Sequence, residues 1–441
     1  MPAEAPGLAL AHHAVVVGLG SAAFGLAAGA VGCFMLLRGR ALITDAAAHA
    51  TLPGVAGAFL IGAALGWDGR ALPLLLAGAA LTALAAVLVV QGLAGGGRIR
   101  DDAAMALVLS VGFGLGVVLL SVVQSLPVAG QAGLKGFILG QAAGMLAGDA
   151  VLIGALALFA LAALALLFRP LALLCFDRDF AVAVGLPVRA LDLALLGLML
   201  AVAVVGLNSV GLILVVGLMV IPAATARLLT DRLDVMLPLA AAAGALSAGI
   251  GASVSASAPG LPTGGTIVLA AAALFALALI AAPGRGLLAL AQRRSALSLA
   301  VARDHALRLA FETQERDRRG EALALDEVAR GAGWSGWQRR LVPLWLRAAG
   351  LVRPAGPGLV ALTERGRRRA HALTRRHRLW EHYLQSAGGI APGAAHRAAD
   401  EVEHTLPEDV AREAAVWLAA NDPARLAPGE EVPPPGEVTA R

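Results

Sequence analysis

Apolar runs of about twenty residues recur along the first 284 positions, broken by short polar stretches. They fall at 14–37, 42–66, 71–93, 103–123, 148–168, 187–206, 208–222, 236–257 and 265–283. All but the short run 208–222 approach the roughly 20 helical residues needed to cross the hydrocarbon of a bilayer. The pattern predicts nine transmembrane helices. Residues 136–147, apolar and glycine-rich, predict a re-entrant or interfacial piece. Glycine and alanine dominate the runs, which lets helices approach closely. The first run is longer than a signal-peptide core and more spans follow it, so it reads as retained.

The pattern changes after Pro283. Residues 286–318 read as a basic, amphipathic helical connector. Residues 323–330 (LALDEVAR) and 335–349 predict two helices around a glycine-rich turn. Residues 351–362 (LVRPAGPGLVAL) predict a β-hairpin with a Pro-Gly turn. Helix, helix-turn-helix and hairpin are in the order of a winged helix. Thr363 caps a long helix to about Ala387, with Glu364 close behind it. Further helices are expected over about 393–404 and 407–420, and the Pro-rich tail from Asn421 is expected to be disordered. The domains are therefore 1–284 (membrane), 285–362 (connector and winged helix), 363–420 (helical) and 421–441 (tail).

Charge sharpens the division. Residues 1–284 carry 22 of the 65 charged side chains, and the shorter remainder carries 43. With 58% hydrophobic residues this is no ordinary soluble chain. Arg38 and Arg40, Arg98 and Arg100, Arg169, Arg178 and Arg189, Arg227 and Arg232, and Arg285, Arg293 and Arg294 fall in alternate loops. The positive-inside rule then puts the N-terminus outside and the C-terminal part in the cytoplasm of a bacterial plasma membrane. The basic balance reads as anchoring to membrane lipid, not as nucleic-acid binding. The two cysteines, Cys33 and Cys175, suggest neither a disulfide framework nor a thiolate metal site.

Chemistry concentrates at two places. Asp45 and His49 sit one helical turn apart, on one face of an apolar stretch. A carboxylate in a membrane helix costs roughly 2.5–3.5 kcal/mol on insertion scales, and such residues face a bundle interior or a wet pathway. Carboxylate plus imidazole is a divalent-metal half-site. The plain alternative is an Asp at headgroup level with the His merely nearby. In the soluble part His377 and Glu381 are also one turn apart, and His396, Asp400, Glu403 and His404 share one helix face. Six of the nine histidines lie in this part. A solvated charged face is the structural alternative there.

Residues 14–283 resemble the permease subunits of zinc, manganese and iron ABC importers. The stretches that carry the resemblance, in order, are LITDAAAHATLPGVAGAFLIG (42–62), DDAAMALVLSVGFGLGVVLLS (101–121), FDRDFAVAVGLPVRALD (176–192), VGLMVIPAATARLLTDRL (216–233) and LPTGGTIVLAAAALFALAL (261–279). The resemblance implies a second permease copy or paralogue, a cytoplasmic ABC ATPase dimer and an extracytoplasmic metal-binding protein. It implies Mn, Zn or Fe as substrate, met in the membrane by Asp45 and His49. The loop expected over 223–236 is similar to the coupling loop of siderophore- and cobalamin-type permeases. That implies ATPase contacts through Ala223, Ala224, Thr225, Ala226, Arg227 and Arg232.

The soluble part resembles metal-dependent repressors of the diphtheria-toxin-repressor type, most strongly at ALTERGRRRAHALTRRHRLWEHYL (361–384) and HRAADEVEHTLPEDV (396–410). The resemblance implies one metal site at His377, Glu381 and His396, and another at His305, Asp400, Glu403 and His404. Asp400, an oxygen ligand, stands where iron-type members carry a cysteine; oxygen is harder and tilts the site toward manganese or zinc. The segment in the DNA-reading position, 334–350, departs from the family. Pro343 should kink it, and Trp334, Trp337, Trp345 and several leucines crowd it.

The expected fold is an all-α polytopic membrane domain of the siderophore/cobalamin permease type plus a cytoplasmic winged-helix and helical metal-binding domain. The expected function is the permease subunit of a binding-protein-dependent ABC importer with a metal-sensing domain. Without a GxxxxGK[ST] sequence no bound nucleotide is expected, and the chain is not expected to be an enzyme. A siderophore permease, a membrane-tethered transcription regulator and a secondary metal transporter remain the competing readings.

Overall fold

The computed structural model describes residues 6–67, 71–95, 99–125, 144–257, 261–317, 322–402 and 407–426. The chain divides after Leu290 into two compact units.

Among the described residues the regular elements of the first unit are all helices. Its elements are α1 (Pro6–Leu37), α2 (Ala41–Ala64), α3 (Leu72–Gly95), α4 (Asp101–Ser125), α5 (Ala147–Leu166), α6 (Phe168–Phe176), α7 (Arg178–Ala183), α8 (Val188–Val210), α9 (Leu212–Leu229), α10 (Leu233–Ser257) and α11 (Thr263–Ala281). Among the described residues, eight helices are long and apolar enough to cross a membrane, and α9 supplies a shorter apolar one. Most of the expected re-entrant piece at 136–147 lies outside the described residues.

Small residues let the central helices touch. A Cβ placed on Gly25 of α1 would lie 2.3 Å from the Gly244 carbonyl oxygen of α10, and one on Gly29 would lie 2.3 Å from that of Ala240. Such backbone contact is how apolar helices associate in lipid, where burial alone gives little drive. Beside this pair, α2 packs between α3 and α4. Both cysteines are free.

The turn between α1 and α2 is Arg38-Gly39-Arg40. Gly39 takes φ +67°, a left-handed backbone that suits glycine. Arg38 Nη2 donates to Asp192 of α8 at 3.0 Å, and Arg40 Nη1 lies 3.5 Å from the same carboxylate. Asp192 is 8% exposed, so the pair of arginines supplies the charge its burial demands.

The second unit takes most of α12 (Leu287–Asp317), followed by β1 (Ala322–Ala324), α13 (Leu325–Gly331), α14 (Gly336–Ala348), β2 (Val352–Gly356), β3 (Leu359–Leu362), α15 (Glu364–Ser386), α16 (Pro392–Val402) and α17 (Glu408–Asn421). The strands form an antiparallel sheet in the order β1-β3-β2. The helix expected from residue 323 starts two residues later, because Ala322 to Ala324 pair with Leu359 to Ala361 as an edge strand. The expected kink does not end α14: Pro343 is buried inside a continuous helix. Trp334 is buried, and its indole donates to the Ala302 carbonyl of α12 at 3.1 Å. Thr363 caps α15, its Oγ1 accepting from the Gly366 amide at 3.0 Å. Ser386 Oγ donates to Asp422 at 2.8 Å, so the chain just beyond α17 folds back on α15. The rest of the expected disordered tail, 427–441, lies outside the described residues.

Two candidate metal sites

Helix α2 sets Asp45 and His49 side by side. His49 Nε2 is 3.4 Å from Asp45 Oδ1, with the side chains 21% and 29% exposed respectively. Across from them the Phe113 ring of α4 stands edge-on to the imidazole, with centroids 5.2 Å apart. Glycine permits this closeness: a Cβ on Gly112 would lie 3.1 Å from the Ala50 Cα, and one on Gly116 only 2.5 Å from the Leu52 Cβ. His49 Nδ1 is buried without a hydrogen-bond partner among the described residues. Pro53 adds a second loose end, since it has no N–H to donate back to the His49 carbonyl. One turn of helix therefore offers a carboxylate, an imidazole and a carbonyl that lacks its usual donor four residues on. The sequence pointed to the first two; the third follows only from a proline four residues on.

The expected coupling loop is much shorter than 223–236. Helix α9 runs on to Leu229, because Ala223, Thr225 and Ala226 are buried against neighbouring helices. Ala224 is half-buried. The polar surface begins at Arg227. Arg227 Nη1 lies 2.9 Å from Asp231, Arg285 closes on the other oxygen of that carboxylate, and Arg232 pairs with Asp234 at 2.7 Å. The Arg285 hydrogen bond and the arginine charges hold the Asp231 carboxyl below its ordinary range.

In the second unit, α15 and α16 bring three ligand-type groups together. The His377, Glu381 and His396 donor atoms all lie within 4.8 Å of one another. His377 Nε2 is 3.1 Å from His396 Nδ1 and 3.5 Å from Glu381 Oε2, and that carboxylate oxygen is 3.2 Å from His396 Nδ1. His377 is 1% exposed. Two imidazoles and a carboxylate at this spacing fit a borderline divalent cation such as Zn²⁺ or Mn²⁺.

Asp400 meets the opposite edges of the same rings. Its oxygens are 3.6 Å from His377 Nδ1 and 3.8 Å from His396 Nε2. A carboxylate there orients an imidazole and fixes which nitrogen is free. Burial pushes the Asp400 carboxyl up, but the Arg308 hydrogen bond and charge, with His377 and His396, outweigh it and hold it below the usual range. His305, half-buried on α12, is not in the gathered group. Glu403 and His404 lie outside the described residues. Arg308 was not legible beforehand, being one arginine among many on a basic helix.

Residues 12–282 match the model of the ABC 3 transport family. The chain belongs to that family. Residues 363–417 match the model of the iron dependent repressor, metal binding and dimerisation domain. The chain is 34% identical over 372 residues to the manganese transport system membrane protein MntC of Bacillus subtilis, covering 83% of this chain and 82% of that one. It is 39% identical to the zinc transport system membrane protein TroC of Treponema pallidum, covering 64% of this chain and 93% of that one. Among solved structures, PsaBC from Streptococcus pneumoniae in complex with Fab matches with a TM-score of 0.52 and 30% identity, covering 61% of this chain and 91% of that one. The ABC 3 match ends where the last apolar helix ends, and the repressor match begins at the cap of α15.

Proposed function

We infer that the chain is the permease subunit of an ABC importer for a divalent transition metal, carrying a metal-responsive regulatory domain at its C-terminal end. The observation that carries this reading is the Asp45–His49 pair on α2, a cation half-site within an otherwise apolar helix of an ABC 3 family member. Its donors are hard to borderline, which suits Mn²⁺, Zn²⁺ or Fe²⁺. Relatives named for manganese and for zinc transport support that class.

A carboxylate and an imidazole leave most coordination positions of such an ion open. A second permease, related by a two-fold axis, would supply the matching pair. The ion arrives from an extracytoplasmic binding protein. ATP is hydrolysed on separate ATPase subunits that dock around Arg227, Asp231 and Arg232. The N-terminus lies outside and the second unit lies in the cytoplasm of the bacterial inner membrane, as the arginine-bearing loops require.

In the second unit, metal at His377, Glu381 and His396 signals a replete cytoplasm and dampens transport. DNA reading is not its task. Helix α14, in the recognition position, exposes Trp337, Leu341, Leu344 and Trp345, where base edges call for polar side chains.

The test is uptake of Mn²⁺, Zn²⁺ and Fe²⁺ by proteoliposomes holding the permease, its ATPases and its binding protein. One metal should be taken up with ATP and without a proton gradient. Internal metal should slow uptake in the parent and not in His377→Ala. Uptake driven by the gradient without ATP would reject the reading.

A further inference from the structure

Arg308 of α12 reaches into the far side of the His377 cluster. Its Nη1 contacts His377 Nδ1, and its Nη2 donates to Asp400 Oδ1 at 2.6 Å. The side chain is almost fully enclosed, with Glu312 3.7 Å from Nε. A guanidinium has five N–H donors, no acceptor, and keeps its proton in proteins. His377 Nδ1 must therefore accept, and the proton of the neutral ring sits on Nε2. Yet Nε2 is the nitrogen that faces Glu381 and His396. A nitrogen that carries a proton has no lone pair for a metal.

We propose that Arg308 is a positioning residue that sets the metal threshold of this site, by holding His377 in the tautomer that does not ligate. The proposal rests on reading the cluster as a metal sensor. Capture of a cation between His377 Nε2, Glu381 and His396 moves the ring proton. Nε2 gives its proton to solvent and Nδ1 takes one from solvent, so His377 releases no net proton. The new Nδ1–H needs an acceptor, and Arg308 must withdraw to make room. Asp400 is that acceptor, 3.6 Å from Nδ1 before any adjustment. The result is a carboxylate–histidine–metal arrangement, which orients the ring and raises its basicity. Arg308 keeps Glu312, one turn along its own helix, as a partner. Metal and guanidinium thus favour opposite tautomers of His377, and the site fills only when metal capture at Nε2 outweighs the Arg308 contact at Nδ1.

The experiment uses the full chain in detergent micelles, with Asp45→Ala to silence the membrane pair. Mn²⁺ and Zn²⁺ are titrated against a competing chelator. Arg308→Met should bind roughly tenfold tighter or more, on the scale of partners that orient metal ligands. Arg308→Lys, which keeps a cationic donor, should stay near the parent. An arginine with only a structural role gives weaker binding in Arg308→Met, and unchanged or weaker binding overturns the proposal. If Arg308→Met fails to unfold cooperatively, the charge-balanced Arg308→Met/Asp400→Asn is compared with Asp400→Asn alone. Tighter binding by the double variant supports the proposal; equal or weaker binding overturns it. His377→Ala separates the two claims. Binding that survives in His377→Ala rejects the sensor reading itself. Binding lost there, with no gain in Arg308→Met, rejects only the role of Arg308.

Discussion

Arg38 and Asp192 stand 154 residues apart in sequence, and their side chains meet at 3.0 Å. The contact pins the turn after α1 to the start of α8, and a second Arg38 nitrogen reaches back to the Leu174 carbonyl of α6 at 3.0 Å. Removing one member of a buried ion pair leaves the other uncompensated, typically at a cost of about 3–5 kcal/mol. Asp192→Ala should therefore lower the thermal midpoint of the purified protein markedly. The triple variant that adds Arg38→Met and Arg40→Met to Asp192→Ala should recover part of it. A midpoint unchanged in Asp192→Ala would show that water, not Asp192, satisfies the arginines.

The contact of α1 with α10 leaves no room for side chains at Gly25 and Gly244. Gly25→Val would drive branched carbons into the Gly244 carbonyl, where even a Cβ lies at 2.3 Å. Overpacking of this kind costs about 1–3 kcal/mol or more, and here the obstacle is backbone. The expected outcome is loss of folded protein in membranes, read by size-exclusion of the fluorescent fusion. Gly18→Ala, where a Cβ meets nothing within 4 Å, should behave as the parent.

Asp231 is clamped between Arg227 and Arg285 at the end of α9. Asp231→Asn removes the charge that both arginines share while leaving the helices intact. ATP-driven uptake by the assembled importer should fall several-fold, with the thermal midpoint of the permease unchanged. Uptake at the parental rate would remove this loop from coupling.

Acid should weaken the joint between α12 and α15. The Arg378 hydrogen bond to Glu315 holds that carboxyl below its ordinary value of about 4.3, against a smaller opposing effect of burial. A lowered folded value means the ionised form is favoured in the fold. Its contribution is complete above the unfolded value and is lost as pH falls through the folded one. The Glu315 side chain is 50% exposed, so the contribution is under about 1 kcal/mol. Glu315→Gln should melt slightly below the parent at pH 7, and the gap should close on acidification into that range. A gap that does not change with pH would assign the difference to packing.

Much of this was legible in the sequence, for physical reasons. Twenty-residue apolar runs announce membrane helices because lipid forces each backbone to satisfy itself. The Thr363 cap and the one-turn spacing of His377 and Glu381 are local rules, and the helix obeys them. Long-range partners carry no such signal. Nothing near Arg38 names Asp192, and nothing near Arg308 names His377. Helix α9 ends beyond the expected 222 because Ala223, Thr225 and Ala226, small residues in a stretch that resembles a loop of related permeases, bury against neighbouring helices. Strand β1 was missed because three residues, Ala322 to Ala324, become a strand only when β3 is beside them.

The central claim is that the metal passes Asp45 and His49. It is tested most directly by uptake of Mn²⁺, Zn²⁺ and Fe²⁺ in cells expressing the whole importer, with Asp45→Ala and His49→Ala beside the parent at equal membrane abundance. Each variant should lose most uptake of the one metal the parent carries. Parental uptake of all three metals by both variants would contradict the account and leave the pair a structural contact on α2.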